Sequence, residues 1–222
     1  LGKGWVIGET LITGIGQGYT QTTPLQLCQM TAQLANGGFK IYPKIIVEED
    51  IQTAEEIRVI MNENRKKLNK KDSGSKDTTE LLGFLNKKKY ETLFKSSKNI
   101  NLVREAMFAS TNEIRGTSYK SRIEDPKYQF AGKTGTSQVR RITEAARELD
   151  LSTSEIPYNE RDHALYIAFG PYKNPRYALS IVIEHGGSGS SAAAPIAKKL
   201  FKLIIDRHEL REKQTKQNNL EI

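Results

Sequence analysis

The residues best suited to chemistry surround Lys133, in the stretch AGKTGTS. A charge near the middle of a strand costs free energy unless it faces water or a partner. Gly132 and Gly135 flank the lysine, and glycine inside a strand often marks a place where a ligand or another backbone comes close. Two hydroxyls from Thr134 and Thr136, a cation and free backbone N–H groups together suit an anion such as a carboxylate.

Lys133 also has a purely structural explanation, because a lysine on an edge strand protects a sheet against pairing with other chains. In period-2 alternation Thr134 and Thr136 share one face, and Lys133 lies on the other with Gly135 unless local twist brings it round. The pattern Lys-Thr-Gly is too short to separate the two explanations. The elements that would position these residues are therefore needed.

Two further segments have the composition of strands. HALYIAFG, residues 163–170, and YALSIVIEH, residues 177–185, are rich in aromatic and β-branched side chains, which favour strands. They are joined by PYKNPR, which has a proline at both ends of its turn core. The pair is predicted to form a hairpin, and the strand of Lys133 makes a third.

A first helix is predicted after the glycine-rich stretch GIGQGY. Thr23, Pro24 and Gln26 supply an N-cap, a proline at the first helical position and a capping-box glutamine. Gly37 and Gly38 supply the stop. This helix is expected to be buried on one side.

Two more helices are predicted from apolar residues at helical spacing. The first ends before Gly116, and the second begins near Pro195 and should lie on the sheet with a basic outer face. Three antiparallel strands with helices packed on them predict an α+β fold. The expected apolar stripes are Leu102, Val103, Ala106, Met107 and Ser110 in the first helix and Ile196, Leu200, Leu203 and Ile204 in the second.

The net charge of +8 over 222 residues raises the question of nucleic acid. The basic residues lie in polar segments without interleaved aromatics or a recognised nucleic-acid motif, so we predict no nucleic-acid partner. Residues 48–100 are rich in Lys, Asn, Glu and Ser and are predicted to be a partly disordered insertion, and residues 214–222 a flexible tail. No apolar run is long enough for a spanning helix, and Cys28, the single cysteine, excludes an internal disulfide.

Three strings together resemble the transpeptidase domain of the class B penicillin-binding proteins, most closely those of rod elongation. They are GIGQGYTQTTPLQL, KTGTSQ and DHALYIAFGPY with the strand and glycine run after it. The K-T-G triplet is shared by all serine penicillin-recognising enzymes, and the longer strings are far more specific. The resemblance implies a β-lactamase/transpeptidase-like fold, with residues 1–222 forming the carboxy-terminal part of one transpeptidase domain.

The resemblance also implies a serine D,D-transpeptidase that cross-links peptidoglycan, with residue roles that agree with the anion-site interpretation. Lys133 would keep the site electropositive and help proton transfer. Thr134 and Thr136 would hold the terminal carboxylate of a stem peptide or a penicillin, and Gly135 would let the acyl chain lie beside the strand. The backbone N–H of Thr136 would be one of two oxyanion-hole donors.

The implied partners are stem peptides ending in D-Ala-D-Ala, β-lactams, and membrane proteins of the elongation machinery. No cofactor is implied. The catalytic domain would lie on the periplasmic face of the bacterial inner membrane, with its anchor outside this chain. The alternative is a non-catalytic penicillin-binding sensor or partner module of the same fold.

Members of this family carry a nucleophilic serine in Ser-x-x-Lys and a second element, Ser-x-Asn. SGSK at residues 73–76 and SKN at residues 97–99 match these patterns, yet we reject both. A lysine hydrated in so polar a segment would be a poor base, and the family's motifs precede the GIGQG segment, whereas these follow it. The nucleophile is expected upstream of Leu1, so the chain alone is expected to be inactive.

The three histidines do not indicate a different chemistry. A zinc site would need the strand ends at His163 and His185 to converge without a cysteine or a helical His pair, and His208 lies in the last helix. We therefore predict structural or exposed histidines and no metal site. Arg140 and Arg141 begin a loop that either rims the cleft or is simply solvated.

Overall fold

The computed structural model describes residues 4–16, 18, 20–43, 91–139 and 152–218. The polar segment at residues 48–90 and the loop beginning at Arg140 and Arg141 lie outside the described residues. The main elements are α1 (Ile7–Gly14), α2 (Pro24–Ala35), α3 (Ser97–Asn112), β1 (Ala131–Ser137), β2 (His163–Gly170), β3 (Tyr177–Ile183) and α4 (Ala194–Asn218). Short 3₁₀ turns occur at Tyr119–Ser121 and Tyr158–Glu160, and a π-helical turn, Gly189–Ala193, leads into α4.

The three strands form one antiparallel sheet in the order β1-β2-β3, which confirms the predicted hairpin and the α+β class. Lys133 lies opposite Ile167, and Thr136 lies opposite Ala164. β2 has the predicted bounds, whereas β3 ends at Ile183, before the predicted end at His185. The strand stops there because His185 adopts a left-handed backbone conformation with φ of 54°.

The predicted capping of α2 is confirmed. The Thr23 hydroxyl accepts a hydrogen bond from the Gln26 N–H, and the Gln26 side chain accepts one from the Thr23 N–H. Gly37 and Gly38 follow the helix with φ of 90° and 97°. Cys28 is partly buried, with its thiol 3.5 Å from the Ala178 carbonyl of β3. Burial raises the pKa of this thiol.

Helices cover both faces of the sheet. α4 packs on one face, where Ala194, Ala197 and Phe201 meet Phe130 and Tyr166. α2 and α3 pack on the other face, where the buried contacts join Ala35, Met107, Ala131 and Phe169. None of the described helices combines the length and the apolar composition needed to cross a membrane.

The predicted apolar stripes of α3 and α4 are correct only in part, because Met107 is buried and Leu200 packs against the core, whereas other members of the stripes face solvent. Leu102 and Leu203 are 66% and 62% exposed. Both predictions followed the bulkiest apolar side chains, whereas the buried faces also contain small and polar residues such as Ala194, Ala197 and Thr111. The residues that are buried are Ile100, Arg104, Met107 and Thr111 in α3 and Ala194, Ala197, Phe201 and Ile205 in α4.

Residues 91–100, at the end of the segment predicted to be a partly disordered insertion, include residues with backbone contacts to the fold. Phe39 and Thr92 form a β-bridge, and the Leu93 N–H donates to the Gly38 carbonyl at 2.9 Å. At the other end of the chain, α4 continues to Asn218, into the segment expected to be flexible.

Replacing Tyr166 with phenylalanine is expected to destabilise the protein by about 1–3 kcal/mol, because buried hydroxyls lose a partner. The Tyr166 phenol is buried and lies 3.0 Å from both Thr111 Oγ1 and Ser118 Oγ. Denaturant unfolding would measure the loss, with Tyr158→Phe as the control because Tyr158 is 63% exposed. Equal stability of the two variants would contradict the prediction.

Burial also raises the pKa of the Tyr166 phenol above its ordinary value. The folded state therefore keeps the proton at pH values at which the unfolded chain has lost it. The contribution of this phenol to the free energy of unfolding is fully present below about pH 10, the ordinary tyrosine pKa. It is lost as the pH rises further. The Phe variant should lack this part of the alkaline loss.

Candidate active site

The outer edge of β1 is built by hydrogen bonds from α3. The Gly132 N–H donates to Thr111 Oγ1 at 3.0 Å, and the Asn112 side chain donates to the Phe130 carbonyl at 2.9 Å. The backbone groups of Phe130 and Gly132 thus point away from β2. Because pointing direction alternates along an antiparallel pair, the N–H and C=O groups of Thr134 and Thr136 point to the same open edge.

Lys133 reaches this edge although its position in the strand places it on the opposite face from Thr134. Its exposed side chain bends so that Nζ donates to the Thr134 carbonyl at 2.8 Å. The ammonium group and the Thr136 N–H therefore lie along one edge of the sheet. A cation beside outward backbone donors can hold a carboxylate and stabilise a developing oxyanion.

The Thr134 hydroxyl belongs to a chain of hydroxyls that leads to α3. Its oxygen lies 3.3 Å from Thr117 Oγ1, which lies 3.1 Å from Ser110 Oγ. Sequence reasoning missed this support, as well as the buried group of Thr111 and Ser118. The signal was the polar run Ser-Thr-Asn directly after the apolar residues Ala-Met-Phe-Ala, followed by Gly-Thr-Ser.

Gly132 and Gly135 look alike in the sequence but have different surroundings. A Cβ on Gly132 would lie 2.3 Å from the Tyr166 hydroxyl, whereas a Cβ on Gly135 would lie 3.3 Å from the Cβ of Leu165. Behind Gly135 runs Gly189, where a Cβ would lie 2.7 Å from the Gly135 carbonyl oxygen and 2.3 Å from that of Leu165. The absence of a side chain at Gly132 thus leaves room for the buried Tyr166 hydroxyl. Gly135 contacts the Gly189 backbone on one side and faces open space on the other.

That open space is a cavity of about 920 Å³ between the end of β1 and the α1–α2 connection. Its size falls in the usual range of small-molecule sites. Residues from two of the strings that carry the resemblance, GIGQGYTQTTPLQL and KTGTSQ, thus line the same cavity. Its lining consists of Ile12, Gly16, Gly18, Thr20, Gln21, Thr22, Thr23, Pro24, Gln26, Leu27, Gly135, Thr136, Ser137, Gln138, His163, Leu165 and Val182.

Two of the three histidines lie close together, which the sequence analysis did not predict. The rings of His163 and His185 are 4.8 Å apart, so the two strand ends do converge. Within the described ranges no group of three or more residues with metal-ligand side chains is present. His208 lies in α4, where its Nε2 is 2.8 Å from Glu212 Oε1 and it also contacts Arg176.

The rejected SKN pattern starts α3, with Asn99 exposed. Fourteen residues separate Ser97 from Thr111, the residue that contacts β1, so the two ends of the helix are about 20 Å apart. The first turns of α3 pack against Gly38, beyond the carboxyl end of α2, whereas the cavity lies at the opposite end of α2, at Pro24. The SGSK pattern lies outside the described residues.

The chain belongs to the penicillin binding protein transpeptidase domain family, whose model matches residues 1–202. It is 32% identical over 204 residues to the peptidoglycan D,D-transpeptidase MrdA of Salmonella typhimurium and 29% identical over 213 residues to MrdA of Escherichia coli K12. These alignments cover 92% and 96% of the chain but 28% of each relative. The chain thus spans little more than a quarter of the length of these relatives.

Solved structures agree in fold. Penicillin-binding protein 2 from Helicobacter pylori, in its complex with MreC, matches 94% of this chain and 29% of its own with a TM-score of 0.58 and 27% identity. Penicillin-binding protein 2 from Pseudomonas aeruginosa, in complex with WCK 5153, matches 88% of this chain and 32% of its own with a TM-score of 0.54 and 31% identity. The resemblance drawn from the sequence motifs is confirmed.

Proposed function

We propose that this chain supplies one wall of the active site of a peptidoglycan D,D-transpeptidase that acts in rod elongation. The observation that carries the proposal is the open edge of β1, where the Lys133 ammonium bonds to the Thr134 carbonyl and Thr136, with its outward N–H, lines the 920 Å³ cavity. The names of the relatives support the same activity. MreC in the Helicobacter pylori complex supports an elongation protein as partner.

The reaction is acyl transfer in two steps. A serine oxygen attacks the carbonyl carbon of the penultimate D-Ala, the bond to the last D-Ala breaks, and that residue leaves with a proton on its amine. An amine of a neighbouring stem then attacks the ester and restores the serine hydroxyl. Each attack places negative charge on the carbonyl oxygen, and preorganised N–H donors stabilise it.

The residues of the edge have separate roles in this proposal. The Thr136 N–H donates to the oxyanion, and the hydroxyls of Thr134 and Thr136 hold the terminal carboxylate. Lys133 keeps the site electropositive and assists proton transfer. Gly135 lets the acyl chain lie along the strand, since a side chain there would project toward the cavity that it lines.

The nucleophilic serine is proposed to lie in the part of the domain that the longer relatives have beyond this chain. The complete protein would then act on the periplasmic face of the bacterial inner membrane, on stem peptides ending in D-Ala-D-Ala, and would be acylated by β-lactams.

This chain alone is expected to show no covalent labelling by a fluorescent penicillin, because it lacks the activated serine. Gel fluorescence and intact mass would measure the labelling, with the complete protein as positive control. Stoichiometric labelling at Ser73 would overturn the rejection of the SGSK pattern.

The complete protein should also release D-Ala from a stem peptide in step with cross-link formation. Covalent penicillin binding without any D-Ala release would instead identify the non-catalytic sensor. The two outcomes separate the enzyme from the alternative module of the same fold.

A further inference from the structure

Two histidines meet where β2 begins and β3 ends. The backbone N–H of His185 donates to Nδ1 of His163 at 2.9 Å, so that Nδ1 carries a lone pair and the ring of His163 is neutral with its proton on Nε2. Nδ1 of His185 lies 3.0 Å from the Arg161 carbonyl oxygen. Because a carbonyl only accepts, this Nδ1 carries a hydrogen. The contacts thus define which nitrogen of each ring is protonated.

The same contacts hold the turn after β3, which begins at His185 and has an unusual backbone conformation. His185 has φ of 54°, a region that residues other than glycine seldom adopt. The Gly187 N–H donates to the Asp162 carbonyl at 2.8 Å, and the Asp162 carboxylate accepts the Val139 N–H at 3.1 Å. The exit of β1, the start of β2 and the turn after β3 are therefore tied together at Asp162 and His163.

The turn leads directly to the back of the candidate active site. Two residues after Gly187, Gly189 packs against the backbone of Gly135 and Leu165 so closely that a Cβ there would lie 2.3 Å from the Leu165 oxygen. The ring of His163 lines the cavity on the other face, beside Thr136. A displacement of the turn would therefore remove the backing of the strand at Gly135.

We propose that His163 is a positioning residue for the reaction proposed above, on which this inference rests. Its neutral Nδ1 holds the turn from His185 to Gly189 against Gly135 and so fixes the Thr136 N–H at the edge of the sheet. A proton on Nδ1 would make this nitrogen a donor. It could then no longer accept the hydrogen bond from the His185 N–H, and that bond would be lost. The edge is thus ordered when Nδ1 of His163 accepts the bond and loosened when that nitrogen is protonated.

The groups around His163 single it out as the residue whose protonation breaks the turn. His185 keeps its Nδ1–H in either protonation state, so its own charging leaves the bond to Arg161 in place. The Arg161 guanidinium donates to the carbonyls of Ile156 and Ser154. Ser137, opposite His163 on β1, is uncharged, as are the residues of α2 and the α1–α2 connection that line the cavity. The titratable or charged neighbours on the flanking segments are Tyr158, Glu160, Arg161, Asp162, Glu184 and His185.

Asparagine and alanine at position 163 test the proposal, since the asparagine carbonyl oxygen accepts in place of Nδ1 and does not titrate. Amide resonances of His185, Gly189 and Gly135 would be followed from pH 8 to pH 5 in the wild type, His163→Asn and the control His208→Asn. We expect the three amides to shift together with the His163 ring in the wild type and in His208→Asn, and to stay fixed in His163→Asn. Titration of the His163 ring without a change at His185 and Gly135 would overturn the proposal.

Acylation by a fluorescent penicillin in the complete protein gives the second readout. Relative to pH 8, the wild-type rate at pH 5 should fall between about twofold and tenfold further than that of His163→Asn, which matches the loss of one hydrogen bond. His163→Ala should be slow at both pH values, and if it fails to fold, the Asn variant still decides. Identical pH profiles of the wild type and His163→Asn would refute the positioning role. The amide titration needs no activity, so it separates this outcome from a failure of the proposed function.

Discussion

Replacing Lys133 with alanine is expected to slow penicillin acylation of the complete protein by about 10²–10⁴-fold, the usual contribution of a group that assists proton transfer. The fold should survive, because the Lys133 side chain is exposed and its ammonium bonds to the carbonyl of the neighbouring Thr134. The effect should appear in the acylation rate rather than in the free energy of unfolding. Stopped-flow acylation and denaturant unfolding would measure the two quantities.

The matched control is Lys173→Ala, which removes the same charge from an exposed lysine in the turn between β2 and β3. This variant should acylate at the wild-type rate. If Lys133→Ala also acylates at that rate, the lysine only protects the edge of the sheet, which is the structural explanation that the sequence left open.

The second large effect is expected from Gly132→Ala, which should destabilise the fold by about 3 kcal/mol or more, at the upper end of overpacking costs. The new Cβ would lie 2.3 Å from the Tyr166 hydroxyl. That hydroxyl cannot give way easily, because it is fully buried and bonded to Thr111 and Ser118. Denaturant unfolding of the chain would measure the loss.

Gly135→Ala is the informative comparison, since its Cβ would meet only the Cβ of Leu165, at 3.3 Å. It should cost much less stability than Gly132→Ala, and in the complete protein it should impair acylation if the acyl chain lies along Gly135 as proposed. A Gly132→Ala variant as stable as the wild type would show that Tyr166 can repack.

Much of the fold could be predicted because its signals are local. Thr23 and Gln26 determine the start of α2 through hydrogen bonds within one turn, and the composition of β2 reflects burial on both faces. The rotation of α3 and α4 could not be predicted, since it depends on how closely each helix approaches the sheet. There Ala197 packs and Leu203 remains 62% exposed.

The candidate site, like the fold, could be predicted only in part. Lys133, Thr134 and Thr136 were recognisable as a motif, because their spacing is contained in one strand. The bonds from Thr111 to Gly132 and from His185 to His163 join residues far apart in the chain. No periodicity or spacing within a segment encodes such contacts, so only the assembled structure shows what holds the motif in place.

The cavity has a consequence for how the protein becomes functional during folding. One wall comes from residues 12–27 and the other from residues 135–138, with the polar segment between them in the chain. Bringing the two walls together requires closure of a long loop, which costs conformational entropy. A ligand that touches both walls would therefore bind only molecules that have completed folding, and by mass action it would stabilise those molecules alone.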